Sequence, residues 1–269
     1  LYTPDDFAKG DISQGNPDDK YATFRIVLPL EKGVTYGLSG ETATYAQQVY
    51  IDGKLLSEVG KVSDNAEEFV PATDRYTLYF TAQADTAEII IRHAWFNHRT
   101  GTIQKLCLAK APLISANERA QTVCDGLIAG TLLAMAIFFF GMFLLGNRKR
   151  SMMWFSLSCL TAALHYLIYE SKQIGVLFPY LDWYTEHKLE YITNILYFVF
   201  MLLYAFAALG LRPHKRFVVT SICSAGAILL FYIFTPSTVY THFTVVAGAV
   251  MAVYLILSSV YICVTAVKH

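Results

Sequence analysis

Two carboxylates, Glu186 and Glu190, lie four residues apart, a spacing that puts both on one face of a helix. His187 and Asp182 stand beside them. Acids and an imidazole so grouped suit a proton, cation or small-ligand site; the plainer reading is a solvated helix end. His165 and Asn194 fall inside long apolar runs, where polar groups are costly and usually turn toward other helices. They suit either an interhelical hydrogen bond or part of a ligand pocket or switch. A third group, Arg92, His93, Trp95, Asn97, His98 and Arg99, is crowded into eight positions. Trp, Arg and Asn on one face can stack on and hydrogen-bond a sugar. Equally, Trp95 can fill a core, and His98 and Arg99 can tie a loop to a neighbouring domain. Gln47 and Tyr50 are further candidates, on an exposed strand face.

Much else is excluded. There is no GxSxG, P-loop, HExxH or kinase signature and no cofactor motif, so no common catalytic constellation is expected in these residues. The five cysteines are scattered, with no CxxC and no metal-ligand spacing; a Cys107–Cys124 disulfide is the one pairing weighed. Formal net charge is zero, so no basic field points to nucleic acid.

The elements that must position these residues fall into two halves. Charged residues make up 16% of the chain, against roughly 25% for an average soluble domain, and most of the acids precede residue 120. Five apolar runs follow: Leu127–Leu145, Met152–Tyr169, Ile192–Leu211, Phe217–Phe234 and Phe243–Val267. Each is about 18–25 residues, the length a membrane-spanning helix needs. Basic residues follow the first, third and fifth runs, at Arg148-Lys149-Arg150, Arg212 to Arg216 and Lys268. All fall on one side, so the positive-inside rule puts the N-terminal half outside the cytoplasm. The aromatic segment Leu177–Tyr184 suits a membrane interface, and Thr185–Glu190 reads as the first turns of the third span.

Residues 1–110 read as an all-β sandwich of jelly-roll, galactose-binding-like type, beginning with an irregular lead-in over residues 1–20. Strands are predicted at Tyr21–Leu30, Val34–Leu38, Tyr45–Ile51, Lys54–Val59, Arg75–Ala82, Ala87–Phe96 and Thr102–Ala109. Asp52-Gly53 between two strand-like runs predicts a type I′ hairpin, whose two central residues both need positive φ. Residues 111–122 are a linker expected to become helical and run into the first span, leaving 123–269 as the membrane domain. The chain starts at Leu1 without a signal peptide and stops directly after an apolar run, so it is expected to be part of a longer protein.

Particular stretches are similar to a known family. Val49-Tyr50-Ile51-Asp52-Gly53-Lys54-Leu55, with Gly60-Lys61-Val62 after it, resembles a hairpin in the extracellular jelly-roll domains of bacterial seven-transmembrane receptors with diverse intracellular signalling modules. The family's turn is usually Asn-Gly; Asp-Gly serves the same backbone need. Phe96-Asn97-His98-Arg99-Thr100-Gly101 resembles a loop of the same domain, with the Asn/Phe order reversed. Leu177-Phe178-Pro179, Trp183 and Lys188-Leu189-Glu190-Tyr191 resemble the family's second extracellular loop; Gly126 and the basic turn Asn147–Arg150 also fit. At His165 the family's pattern favours arginine. The resemblance implies a bacterial inner-membrane sensor: a carbohydrate-binding-like outer sandwich, seven spans, of which five are present, and a cytoplasmic output such as a histidine kinase or diguanylate cyclase. It also implies signalling through a homodimer.

The leading expectation is therefore a receptor module that meets membrane lipid and a small-molecule or carbohydrate ligand. Its ligand-binding candidates are Gln47, Tyr50, Arg92, Trp95, Asn97, His98, Arg99, His165, Glu186 and Glu190. A membrane enzyme or transporter with a β-sandwich appendage is the alternative, resting on Glu186, Glu190 and His165; a structural adhesion component is the third.

Overall fold

The computed structural model describes residues 20–97, 106–146, 148–211 and 215–268. Two compact units divide the chain at Val123/Cys124. The first is an antiparallel, curled sheet of six strands: β1 (Tyr21–Pro29), β2 (Thr35–Ile51), β3 (Lys54–Val59), β4 (Ala72–Thr81), β5 (Thr86–Ala94) and β6 (Cys107–Lys110). One layer runs β1-β5-β2-β3; in the other, β4 and β6 flank the first half of β2. β2 thus serves both layers, where two separate strands were expected. Its register shifts between Thr42 and Tyr45, so one strand bends from one layer into the other.

Alternation of side chains decides what lies between the layers. Ile26, Leu28, Val49, Ile51, Ile89 and Ile91 from the first layer meet Tyr36, Leu38, Tyr76, Leu106 and Leu108 in one core. β5 is the inner strand expected of its isoleucine run, and Ile89 and Ile91 are wholly buried. At the β2–β3 hairpin Ile51 pairs with Lys54, and the two residues between, Asp52 (φ 48°) and Gly53 (φ 77°), both take the positive φ of a type I′ turn. The last strand covers Cys107–Lys110; of its predicted span Thr102–Ala109, residues 102–105 lie outside the described residues.

Ala111–Leu145 is a single helix, α1, of 35 residues. Its first turn packs on β2: Ile114 is buried, and a Cβ placed on Gly37 would stand 2.9 Å from the Ile114 Cβ. Glycine at 37 is what lets the helix lie this close to the strand. Tyr79 of β4 also donates a 2.8 Å hydrogen bond to Glu118.

The second unit holds α2 (Arg150–His165), continued by a π turn at Tyr166–Glu170, a short α3 (Ile174–Leu177), α4 (Trp183–Ala208), α5 (Lys215–Phe234) and α6 (Ser237–Lys268). With α1, five of these helices are long and apolar enough to cross a membrane, α2 together with its π turn. α4 begins at Trp183, so Thr185–Glu190 are its first turns, as the sequence predicts. Asp182 caps it, accepting from the Thr185 hydroxyl at 2.7 Å and its amide at 3.0 Å; those bonds hold the Asp182 carboxyl below the usual carboxylate range. α2 and α4 pack through Trp154 on Phe200 and Phe155 on Tyr204. All five cysteines are free thiols, so the Cys107–Cys124 pairing is not made.

Gly37→Ala forces its new Cβ against Ile114 and should cost about 1–3 kcal/mol. Ile114→Ala in the same chain should recover part of that loss, because it removes the atoms in conflict. Thermal unfolding of the two single variants and the double variant measures the coupling.

Candidate functional sites in the two units

The pleat of β5 separates residues that sequence alone had grouped. Arg92 is exposed on the open face of its layer, while His93, next in the chain, is buried on the other. Gln47 and Tyr50 divide in the same way. Gln47, expected on an exposed face, is 3% exposed and accepts a 3.0 Å hydrogen bond from the buried Tyr76 hydroxyl. Its register partner is His93, an inward position.

The open face carries a connected row across four strands. Arg92 on β5 donates from Nε to the Tyr21 hydroxyl on β1 at 2.7 Å and lies over that ring. The neighbouring Tyr50 and Tyr21 hydroxyls raise the guanidinium's pKa above its ordinary value. Tyr50 on β2 donates to the Gln48 side chain at 3.1 Å, and Gln48 donates to Glu58 on β3 at 2.8 Å. One end of the face is covered by Phe69, which packs on Ala46 and Ala94 and pairs with the Phe96 ring at 5.4 Å. The result is a polar floor of Arg92, Tyr50, Gln48 and Glu58 beside an aromatic step. Gln48, Glu58 and Tyr21 were not predicted; the register that aligns Gln48 with both Arg92 and Glu58 brings them in.

On the buried side, His93 is 1% exposed, packed against Tyr45 at 4.6 Å and the half-buried Trp95 at 5.5 Å. Trp95 therefore covers the edge of the core and does not fill it. Neither His93 nitrogen has a hydrogen-bond partner among the described residues. Burial pushes the ring's pKa down to about 4, because its charged form would lose water with nothing to replace it. Asn97 is half-buried in the turn after Trp95. His98 and Arg99 lie outside the described residues.

In the helical unit, His165, Glu190 and Asn194 come together, and Thr193 joins them. The His165 Nδ1 lies 3.2 Å from the Glu190 backbone carbonyl and 3.3 Å from the Thr193 hydroxyl, and Nε2 is 3.5 Å from the Asn194 side-chain amide. A carbonyl only accepts, so Nδ1 carries the proton and Nε2 faces the amide donor. Asn194, expected to turn inward, is exposed on α4. Glu186 is buried at 8% exposure. Tyr166, opening the π turn next to His165, donates a 2.7 Å hydrogen bond to the buried Asp125 of α1. Two consecutive residues, the last of α2 and the first of its π turn, thus engage α4 and α1. The carboxylate of Glu190 stands 3.4 Å from the His187 Nδ1.

Among the described residues, no three His, Cys, Asp or Glu side chains converge as metal ligands. A curled β unit followed by five membrane-length helices, with polar contacts tying helix to helix, fits a multi-pass membrane protein. The model of the family described as 7TM diverse intracellular signalling matches residues 121–269, more than half of the chain, and the chain belongs to that family. No curated protein matches it. The family makes this chain a membrane receptor module with a signalling role, as the sequence resemblance implied.

His93 supplies a sign-definite pH dependence. The unfolded ring binds protons near 6.5 and the folded ring near 4, so the unfolded state holds more protons between those values. Stability of the β unit should be full above about pH 6.5 and fall by about 3 kcal/mol as pH drops to about 4. Unfolding of the chain followed against pH should show this slope, and His93→Leu should flatten it. Tyr166→Phe, which leaves the buried Asp125 without this donor, should lower the stability of the helical unit by about 1–3 kcal/mol, read in the same experiment at neutral pH.

Proposed function

We propose that this chain is the sensing portion of a bacterial inner-membrane signalling receptor, with the β unit outside the cytoplasm as a ligand-binding domain. The basic residues after the first, third and fifth spans support that orientation. The ligand is a polyhydroxylated small molecule or carbohydrate, bound on the open face of the β1-β5-β2-β3 layer. One observation carries this: the row Tyr21, Arg92, Tyr50, Gln48 and Glu58, in which donors and acceptors of both kinds lie beside the half-buried rings of Tyr21 and Tyr50. Hydroxyl groups need neighbouring donors and acceptors, and the apolar faces of a sugar ring need a flat aromatic partner. Arg92 and Tyr50, both expected as ligand-binding residues, belong to this proposed site. Gln47 leaves it because it points into the core.

The bound ligand acts by favouring one arrangement of the receptor over another. α1 is the element suited to carry the difference, because its first turn is packed on β2 and its backbone runs without a break to Leu145. The output is a cytoplasmic enzyme domain of the kinase or cyclase kind, reached through the spans of a homodimer.

A thermal-shift screen of mono- and oligosaccharides and polyols on the full chain in phospholipid nanodiscs tests the reading. At least one compound should stabilise the protein. Arg92→Ala and Tyr50→Phe should each weaken that compound about tenfold or more, equivalent to about 1.4 kcal/mol. A screen without any stabilising compound, or undiminished binding by both variants, removes the site from this face.

A further inference from the structure

Trp183, His187 and Tyr191 succeed one another at four-residue intervals along α4, and tyrosines from two other helices close on them. His187 stacks on Trp183 with ring centroids 4.8 Å apart, meets Tyr191 edge-on at 5.1 Å and lies 5.7 Å from Tyr240 of α6. Tyr232 of α5 stands 5.0 Å from Tyr191 and 5.5 Å from Tyr240. Rings at these separations are in contact and fill the space between three helices. A molecule entering here would have to displace them; a proton would not.

The polar groups of this cluster suit a proton. His187 is 4% exposed, and its Nδ1 faces the Glu190 carboxylate at 3.4 Å. Its Nε2 has no hydrogen-bond partner among the described residues, and neither has the hydroxyl of Tyr240, which is wholly buried. A neutral imidazole donating from Nδ1 leaves Nε2 as a bare acceptor, whereas an imidazolium donates from both nitrogens. The ring thus has a carboxylate at one nitrogen and the face of Trp183 stacked against it. The titratable groups in contact with His187 include Glu190 and Tyr191 on its own helix and Tyr240 on α6, with Tyr232 of α5 behind the two tyrosines and the buried Glu186 next to it in the chain. His165 of α2 reaches the backbone carbonyl of Glu190, and Lys188 is engaged by the Ile233 carbonyl at 2.9 Å.

We propose that His187 and Glu190 form a proton-binding site at the head of α4, and that protonation tightens α4 against α6 through Tyr240. The receptor module then responds to pH as well as to a ligand at the sheet face, and the two responses are separable because they use different units.

The test uses the full chain in phospholipid nanodiscs with Trp95→Phe and Trp154→Phe, so that Trp183 is the one remaining tryptophan of three. A protonated imidazole stacked on an indole quenches its emission. Trp183 emission should fall by half or more through a single midpoint between about pH 5 and 8. His187→Gln should abolish the step, and Glu190→Gln should keep it but move the midpoint at least about one pH unit lower, a tenfold change in proton affinity. His165→Gln should leave it in place. A flat profile in the parent protein, or a step that survives His187→Gln, overturns the proposal. Should His187→Gln not fold, Glu190→Gln decides: an unmoved midpoint overturns it.

Discussion

Hydrocarbon offers a peptide group nothing to bond to, so any segment crossing it must satisfy its own N–H and C=O groups. That constraint shapes the second half of this chain. It requires α1 to stay helical through its apolar stretch, and the same regularity continues upstream to Ala111. A 35-residue helix is roughly 50 Å long, well beyond a hydrocarbon core of about 30 Å. The excess holds Ile114 and Glu118, the residues that pack on β2 and accept from Tyr79. One backbone is thereby answerable to two solvents: its apolar length to lipid, its first turns to a folded sheet.

Where the spans carry polar side chains, the same constraint makes them pair. Ser156 donates to the Ala136 carbonyl at 2.7 Å, Tyr166 to Asp125, and His165 engages the Glu190 carbonyl. Such bonds are worth about 1 kcal/mol each, but an unpaired group in hydrocarbon costs more, so they select particular helix neighbours. The π turn after His165 gives the second span a local break in helical regularity at the residues where it contacts two others, a common place for such turns. His187 and Tyr240 stand apart from this pattern, each keeping a buried polar atom without a partner among the described residues.

In the β unit the governing rule is the two-residue period of a strand. It explains why His93 and Arg92 share no environment, and why Gln47 and Gln48 do opposite things: one is sealed against Tyr76, the other joins Tyr50 to Glu58 across the open face. A one-residue change of register would exchange the two sets, placing Arg92 in the core and His93 in water. The isoleucines at 89 and 91 hold that register, because both are wholly buried and a slip would expose them.

Much of the fold was legible in the order of residue types. Apolar length marked the five membrane-length helices, Asp52-Gly53 marked the hairpin through its need for positive φ, and Thr185–Glu190 read correctly as the start of a span. These are local properties, set by the chemistry of neighbouring residues. The joining of two predicted strands into one β2, the inward turn of Gln47 and the exposure of Asn194 were not legible, since each depends on which partner lies opposite. The candidate sites divide the same way. Residue type and spacing singled out Arg92, Tyr50, His165 and Glu190. Only register across four strands could add Tyr21, Gln48 and Glu58, and only the packing of α5 and α6 could bring Tyr232 and Tyr240 to His187. Sequence determined which segments are strands and which can span a membrane, because those follow from local patterning. Tertiary structure decided which side chains meet, because such contacts join residues far apart in the chain.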